Sequence, residues 1–252
     1  MARDFNGTSD YIVYPYQGVN WNASAQTIAV RLSLDSVPAS NGRIITEYTA
    51  SDASQSFQLF IATTSQQVSF TIVGGTNLLR RSVEGFPTTT ETLLTVTHDG
   101  STTASNCHIY FDGAEVTYSA TDNGVTPSTT GGSMALGDII GGATREYDGR
   151  MSEFARWNRV LSSSERAMLV ARYSPLCLMQ GLKSYIPFIR GTQDFMRGAA
   201  TTVGGTTVTA HPRIVLPAPY ITRYGVTAVA GGAHPVGPLG HPFHGPFGGP
   251  IG

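Results

Sequence analysis

The sequence predicts an all-β protein, a two-sheet antiparallel sandwich with one short helix and an extended C-terminal arm. Three observations carry the prediction. Only 13% of the 252 residues are charged, while glycine (29 residues), serine and threonine are plentiful, a mixture that suits short strands joined by tight turns. Apolar and β-branched runs recur, each bounded by Gly, Asn, Asp, Ser or Pro. A single strong helix-start signal interrupts them.

The runs are YIVY (11–14), TIAVRLSL (27–34), RIITEY (43–48), FQLFIA (57–62), VSFTIV (68–73), TLLTVTH (92–98), CHIYF (107–111) and SMALGDII (133–140). In TIAVRLSL, Ile28, Val30, Leu32 and Leu34 fall on one face and Ala29, Arg31 and Ser33 on the other, which predicts a strand with one buried and one wet face. Asp99-Gly100 and Asp112-Gly113 flank CHIYF, and Asp-Gly pairs supply the positive φ angles of tight hairpins. Ser162 and Glu165 form a capping box that starts a helix with an apolar stripe of Ala167, Met168, Val170 and Ala171, ending near Tyr173 and Pro175. GLKSYIPFI (181–189) reads as one more strand. Beyond Thr209 charge nearly vanishes and Gly and Pro recur every few residues, with VGPLG, HGPFG and GGPIG as a loose repeat. The chain therefore divides into a sandwich, residues 1–210, and a Gly/Pro/His-rich extended arm, residues 211–252.

The formal charge of −1 and pI of about 6.6 give no field to concentrate nucleic acid or anionic lipid. Cys107 and Cys177 are too few for a disulfide framework and lack zinc-site spacing; two buried thiols are expected, with a bridge between them left open. No secretory leader is visible at the start and no run is long enough to cross a membrane as a helix, so a soluble protein made in a cytoplasm is expected.

The segment TLLTVTHDG…CHIYFDGAEV, then SMALGDIIGG, then YDGRMSEFARWNRVLSSSERAML carries an ordered set of features: Asp99-Gly100, Asp112-Gly113, Gly141-Gly142, Tyr147-Asp148-Gly149, Trp157, the Asn158–Ser162 turn and Glu165. In order and spacing this resembles the laminin-G-like/concanavalin A-like jelly-roll superfamily. DFNGTSDYIVY is similar to that family's opening strand, so the resemblance runs from about Asp4 to Tyr173. It implies two antiparallel sheets packed face to face, with Ile109, Phe111, Met151, Phe154 and Trp157 contributing to the core. It does not imply one function, because the same sandwich hosts lectins, adhesion modules, glycosidases and virion proteins.

Relatives that hydrolyse polysaccharides use two carboxylates on one strand face. Glu146, Asp148 and Glu153 are the nearest arrangement, but Asp148 sits in a turn and Met151 stands where a second acid would help, so no enzyme activity is expected. No G-x-S-x-G motif occurs. GGTNLLRRS and VGGTTV lack a phosphate-loop lysine and read as loops. The expected cofactor set is none; the laminin-G resemblance implies Ca²⁺ as an option at a loop rim, with Asp35, Asp99, Asp122 or Asp138 as candidates that read first as turn formers. His234, His241 and His244 are separated by Gly and Pro and left unorganised as metal ligands.

Glycan recognition needs aromatic faces and a few polar groups. Tyr14, Tyr16, Trp21 and Asn22, in YPYQGVNWN, are the candidates, with Trp21 as a plug for one end of the sandwich the competing reading. The arm carries Ile214, Leu216, Tyr220, Tyr224, Leu239, Phe243 and Phe247, too apolar for a plain linker, and reads as a strap that docks on a partner. The start of the chain is also similar to laminin-G-like proteins of phage genomes. The combined expectation is a non-enzymatic capsid decoration or spike protein on a virion surface, homo-oligomeric, attached to a capsid or other virion protein through the arm, with a glycan as further ligand. A free lectin or adhesion module is the rival, and a polysaccharide hydrolase the third reading.

Overall fold

A computed structural model describes residues 2–15, 24–38, 40–48, 55–124, 132–138, 145–189, 191–196, 200, 202–210 and 212–216. By its internal contacts the chain divides into Met1–Pro217 and Ala218–Gly252, and every described residue belongs to the first unit. In chain order the strands are β1 (Ala2–Asn6), β2 (Tyr11–Tyr14), β3 (Gln26–Leu34), β4 (Gly42–Tyr48), β5 (Gln55–Ile61), β6 (Gln67–Ile72), β7 (Leu78–Gly85), β8 (Thr92–His98), β9 (Cys107–Phe111), β10 (Ala114–Glu115), β11 (Tyr118–Asp122) and β12 (Ser133–Leu136). There follow β13 (Asp148–Trp157), the helix α1 (Ser163–Val170), β14 (Leu182–Ile186), β15 (Thr202–Gly204) and β16 (Thr207–Thr209).

The described strands form two antiparallel sheets of eight, a jelly-roll sandwich. The first runs β10-β9-β8-β3-β13-β1-β16, with β14 also on β13; the second runs β11-β7-β6-β5-β4-β12-β2-β15. One large apolar cluster, including Ile28, Val30, Phe57, Phe70, Ile109, Met134, Met151 and Phe154, fills the space between them. A second cluster lies on the outer side of the first sheet, where Ala29, Leu93, Ala155, Trp157 and Tyr185 pack with Leu161 and with Leu169 of α1. Trp157 is therefore core, but of this outer layer rather than of the space between the sheets; its indole N–H donates to Leu178 O at 2.7 Å. The same layer explains why β3 has no wet face. All nine of its residues are buried, because α1 and the segment after it cover Ala29 and Arg31.

Two segments expected as loops are strands. In β7, Leu78, Arg80 and Ser82 alternate inward, and Arg80 serves as an interior residue by laying its guanidinium 3.3 Å from the Tyr118 ring centroid. VGGTTV forms β15 and β16, one in each sheet, so that this turn bridges the edge of the sandwich. Gly205 lies between them at φ 63, and a Cβ there would fall 1.9 Å from Asp10 Oδ1. Asp112 and Gly113 take φ 47 and 85 and close the tight β9–β10 turn as expected. Asp99-Gly100 instead opens a longer loop, residues 99–106, containing a turn of 3₁₀ helix. Asp99 holds that loop through Ser101 N at 2.9 Å and Asn106 Nδ2 at 2.8 Å.

The helix begins as the sequence specifies. Ser162 Oγ accepts from Glu165 N, and Glu165 Oε2 accepts from Ser162 N, the full capping box. Leu169 is its fully buried residue, and Ala167, expected on the apolar stripe, is exposed. Arg159 donates to both Glu165 carboxylate oxygens, at 2.8 and 2.6 Å. This bidentate pairing, ahead of the backbone and side-chain bonds from Ser162, pulls the Glu165 pKa down to about 2. A carboxylate depressed in the folded state stabilises above its unfolded pKa and loses that contribution as pH falls through the folded value. Thermal melts of the wild-type chain should thus show a stability loss between about pH 4.5 and 2 that Glu165→Gln removes. After solvent screening, Glu165→Gln should cost on the order of 1 kcal/mol at pH 7.

Candidate functional site

The two outer faces of the sandwich are unequal. That of the first sheet is largely roofed by α1 and the segment after it. That of the second sheet is built from two cross-strand rows. Register places Leu79, Thr71, Gln58, Thr46 and Ala135 in one row, and Ala120, Arg81, Ser69, Phe60 and Arg43 in the next. Antiparallel partners share a face, and their alternates Phe57, Leu59, Phe70 and Ile72 lie in the core, so both rows point outward.

Coverage divides this face. Towards β4, β12 and β2, Arg43, Thr46, Ala135 and Val13 are buried, and the Arg43 guanidinium lies 4.6 Å from the Phe60 ring centroid. Towards β5, β6 and β7, Gln58, Leu79 and Arg81 are half-buried. Arg81 Nε donates to Ser69 Oγ at 2.9 Å, which fixes the guanidinium over β6. Arg81 and Gln58, with the buried Thr71 between their strands, thus form a polar shelf on the sheet. A half-buried amide beside a guanidinium held by Ser69 offers both donors and an acceptor, the groups that recognise sugar hydroxyls.

The carboxylates singled out from the sequence are engaged elsewhere. Glu153 is 4% exposed, takes φ 54, and accepts the Tyr185 hydroxyl at 2.8 Å beneath the outer layer of the first sheet. Asp148 accepts from Ser36 Oγ at one end of the sandwich. The four candidate calcium ligands do not converge. Asp35 and Asp138 follow strands ending at the Gly137–Gly149 end, while Asp99 and Asp122 lie at the end where Gln26 faces His98. Among the described residues no group of three or more His, Cys, Asp or Glu side chains is placed to hold a metal. Both cysteines are free, and burial pushes the Cys107 thiol far up, as suits a structural residue.

Of the aromatic candidates, Tyr14 is in the core at 2% exposure, with its hydroxyl donating to Thr192 O at 2.6 Å. Its ring offers no face to a sugar, because β2 places it inward next to Ile12. Tyr16, Trp21 and Asn22 lie outside the described residues, as do Tyr220, Tyr224, Leu239, Phe243 and Phe247 of the arm. Ile214 and Leu216 are half-buried, and Val215 exchanges backbone bonds with Arg172 and Ser174 at 2.8 Å each. The shelf was missed from the sequence because GGTNLLRRS, which holds the start of β7, reads as a glycine-led loop.

These features define a lectin-like β-sandwich with one outer face largely roofed and the other partly covered, with a polar shelf. The chain belongs to the concanavalin A-like lectin/glucanase superfamily, whose Laminin_G_3 model matches residues 6–165. No curated protein sequence matches it significantly. Among solved structures it is similar to a Bacteroides ovatus protein assigned as carbohydrate-binding (19% identity, TM-score 0.61, 85% of this chain) and spans 61% of that protein's length. It is also similar to the heptameric SAP-like pentraxin of Limulus polyphemus (13%, 0.59, 83% of this chain and 94% of that one). A third likeness is to domain 4 of a GH43 extracellular arabinanase from Geobacillus stearothermophilus, solved with arabinotriose (16%, 0.51, 67% and 76%). At these identities the likeness is one of fold.

The interior end that backs onto the shelf is polar. Arg156 donates through Nε and Nη2 to Gln26 Oε1 at 3.1 and 2.8 Å, and complete burial lowers its pKa to about 9 against the opposing pull of Glu47. His98 is also fully buried, with its ring centroid 5.5 Å from that of Phe70. Its Nε2 lies 2.9 Å from Ser101 O and its Nδ1 accepts from Gly100 N at 3.2 Å, the pattern of a neutral ring. Burial lowers the His98 pKa, so the unfolded chain takes up this proton first and stability falls as pH drops below about 6.5. Melts between pH 8 and 5 should show that decline, and His98→Gln should flatten it.

Proposed function

We propose that the protein is a non-catalytic glycan-binding sandwich that is carried on a virion surface by its C-terminal arm. The observation that carries the glycan-binding half is the Gln58–Thr71–Arg81 shelf, where Arg81 is fixed by Ser69 on the less covered face of a lectin-like fold. The engagement of Glu153 by Tyr185 supports binding without hydrolysis. The attachment half draws its support from the arm, in which Leu239, Phe243, Phe247 and Ile251 recur among glycines and prolines. Such spacing limits the entropy lost on docking and supplies apolar anchors. Assembly into a homo-oligomer, a capsid or other virion protein as partner, and synthesis in the host cytoplasm belong to the same reading.

A glycan array of the full chain tests the shelf. Wild type should bind a defined set of glycans, and Gln58→Ala or Arg81→Ala should each weaken binding about tenfold, the worth of one strong hydrogen bond. Loss in Trp21→Ala alone would move the site to the 16–22 segment, and hydrolysis of any bound glycan would end the non-catalytic reading. For attachment, wild type should co-sediment with purified virions. A chain lacking residues 218–252 should remain folded and stay in the supernatant; equal co-sedimentation of both would remove the arm from the mechanism.

A further inference from the structure

On the outer face of the first sheet, beside α1, lies a cavity of about 50 Å³. Its floor is a two-by-two patch on β3 and β13, in which Arg31 pairs with Ser152 and Ser33 with Arg150. Glu91 forms one wall, and Ala210 and Pro212 cross another. Arg31 is 5% exposed, and Ser33 and Ser152 are buried. The Arg31 and Arg150 side chains come from neighbouring strands of a rigid sheet, so their spacing is set by the β3–β13 pairing.

Around Arg31 the charges are not matched one to one, whereas Arg150 stands between Asp35 and its cross-strand neighbour Asp4. Arg31 Nη2 donates to Leu169 O at 2.6 Å, and its nearest acid oxygen, Glu91 Oε1, is 3.6 Å from Nη1. That same oxygen lies 2.8 Å from Arg172, which it neutralises first. Arg150 Nη2 donates to Ser33 Oγ at 3.0 Å and lies 3.7 Å from Asp35. Arg150 Nε is a buried N–H without an acceptor among the described residues, a costly state unless something fills it. Of the residues that line the cavity, two are arginines and one is a glutamate already shared with a third arginine.

We infer that this cavity is a binding site for a small oxyanion, a carboxylate, sulfate or phosphate group. Such a group would accept a hydrogen bond from the Arg150 Nε–H and approach the Arg31 guanidinium, with the Ser152 hydroxyl as a further donor. Charge-assisted bonds of this kind are the strong ones, and arginine is the side chain best shaped for them. The cavity has room for such a group or for one or two waters, and none for a sugar ring. Arg150, 41% exposed, leaves it reachable from solvent. The ligand is therefore either a free ion or the acidic group of a larger molecule, such as a glycan carrying carboxylates. The site is on the opposite side of the sandwich from the Gln58–Arg81 shelf and stands independently of it.

Thermal unfolding of the full chain, titrated with sodium sulfate and with sodium acetate at constant ionic strength set by sodium chloride, tests the inference. Wild type should show a saturable rise in Tm for at least one of them, about 2–4 °C once the ion reaches roughly five times its Kd. Arg150→Gln and Ser152→Ala, both small changes at residues that do not hold the core, should each weaken the half-saturating concentration at least fivefold. Gln58→Ala should leave it unchanged. A rise linear in salt without saturation, or an identical saturable rise in both cavity variants, would overturn the site. A second arm compares a polyuronate with a neutral glucan. A saturable response to the polyuronate, absent with the glucan, assigns the oxyanion to an acidic glycan; a response to the free ions alone assigns it to a free ion.

Discussion

The architecture depends on one extra residue in one strand. β13 pairs with β3 along one side and with β1 and then β14 along the other, so every element of the first sheet is placed relative to it. Between Ser152 and Ala155 its register against β3 slips by one residue, and Glu153 sits there at φ 54. A bulge of this kind bends a strand and changes which side chains point to which face. Before it, Met151 points between the sheets and Ser152 outward; after it, Phe154 and Arg156 point between the sheets and Ala155 and Trp157 outward. With unbroken alternation Trp157 would share a face with Met151, and the outer layer beneath α1 would lose its largest side chain. Glu153 is held by Tyr185 from the neighbouring strand, so the residue most suggestive of catalysis is the one that sets the parity of the fold.

From that parity follows the difference between the two faces. Trp157 and Ala155 on the outside of the first sheet need apolar cover, and α1 with the segment up to Leu182 supplies it. Arg31 then comes to lie beneath the end of α1, bonded to Leu169 O, and part of the sheet that would otherwise meet solvent becomes an enclosed polar recess. In the second sheet Phe70 and Ile72 of β6 stay in the core, and the outward β5–β7 rows carry Gln58, Ser69, Thr71 and Arg81 beside Phe60 and Leu79. The outer apolar layer and the small recess on the first sheet are thus two results of how one strand distributes its side chains.

How much of this was legible follows from what alternation can encode. Strands with an apolar residue at every second position, β2, β3, β8 and β9, were read within a residue of their observed ends, and the capping box fixed the start of α1 because Ser162 and Glu165 satisfy each other locally. The ordered signature from Asp99 to Glu165 was enough to identify the superfamily. Alternation failed where an arginine takes an interior position, as Arg80 does on Tyr118 and Arg156 does on Gln26, since nothing in the sequence says that a guanidinium will be stacked or paired. It also failed at Glu153, because a bulge leaves no compositional mark when the added residue is not glycine. The shelf was lost with the start of β7: read as a loop, it left Arg81 without neighbours in Ser69 and Thr71. Tyr14 was misplaced for the opposite reason, as an aromatic beside a polar segment that in fact continues the alternation of β2.

The end of the described chain bears on how an arm could act. After β15 the chain crosses from the second sheet to the first, pairs with β1 as β16, passes the recess at Ala210 and Pro212, and exchanges two backbone bonds through Val215 with the turn that follows α1. It is therefore tied to both sheets and to the outer layer within about a dozen residues of Leu216, a spacing set by strand geometry. A segment that transmits load to a partner needs such a root, because a tether leaving from a single edge strand would peel that strand before it held. Charges at Arg31 and Arg150 border this root.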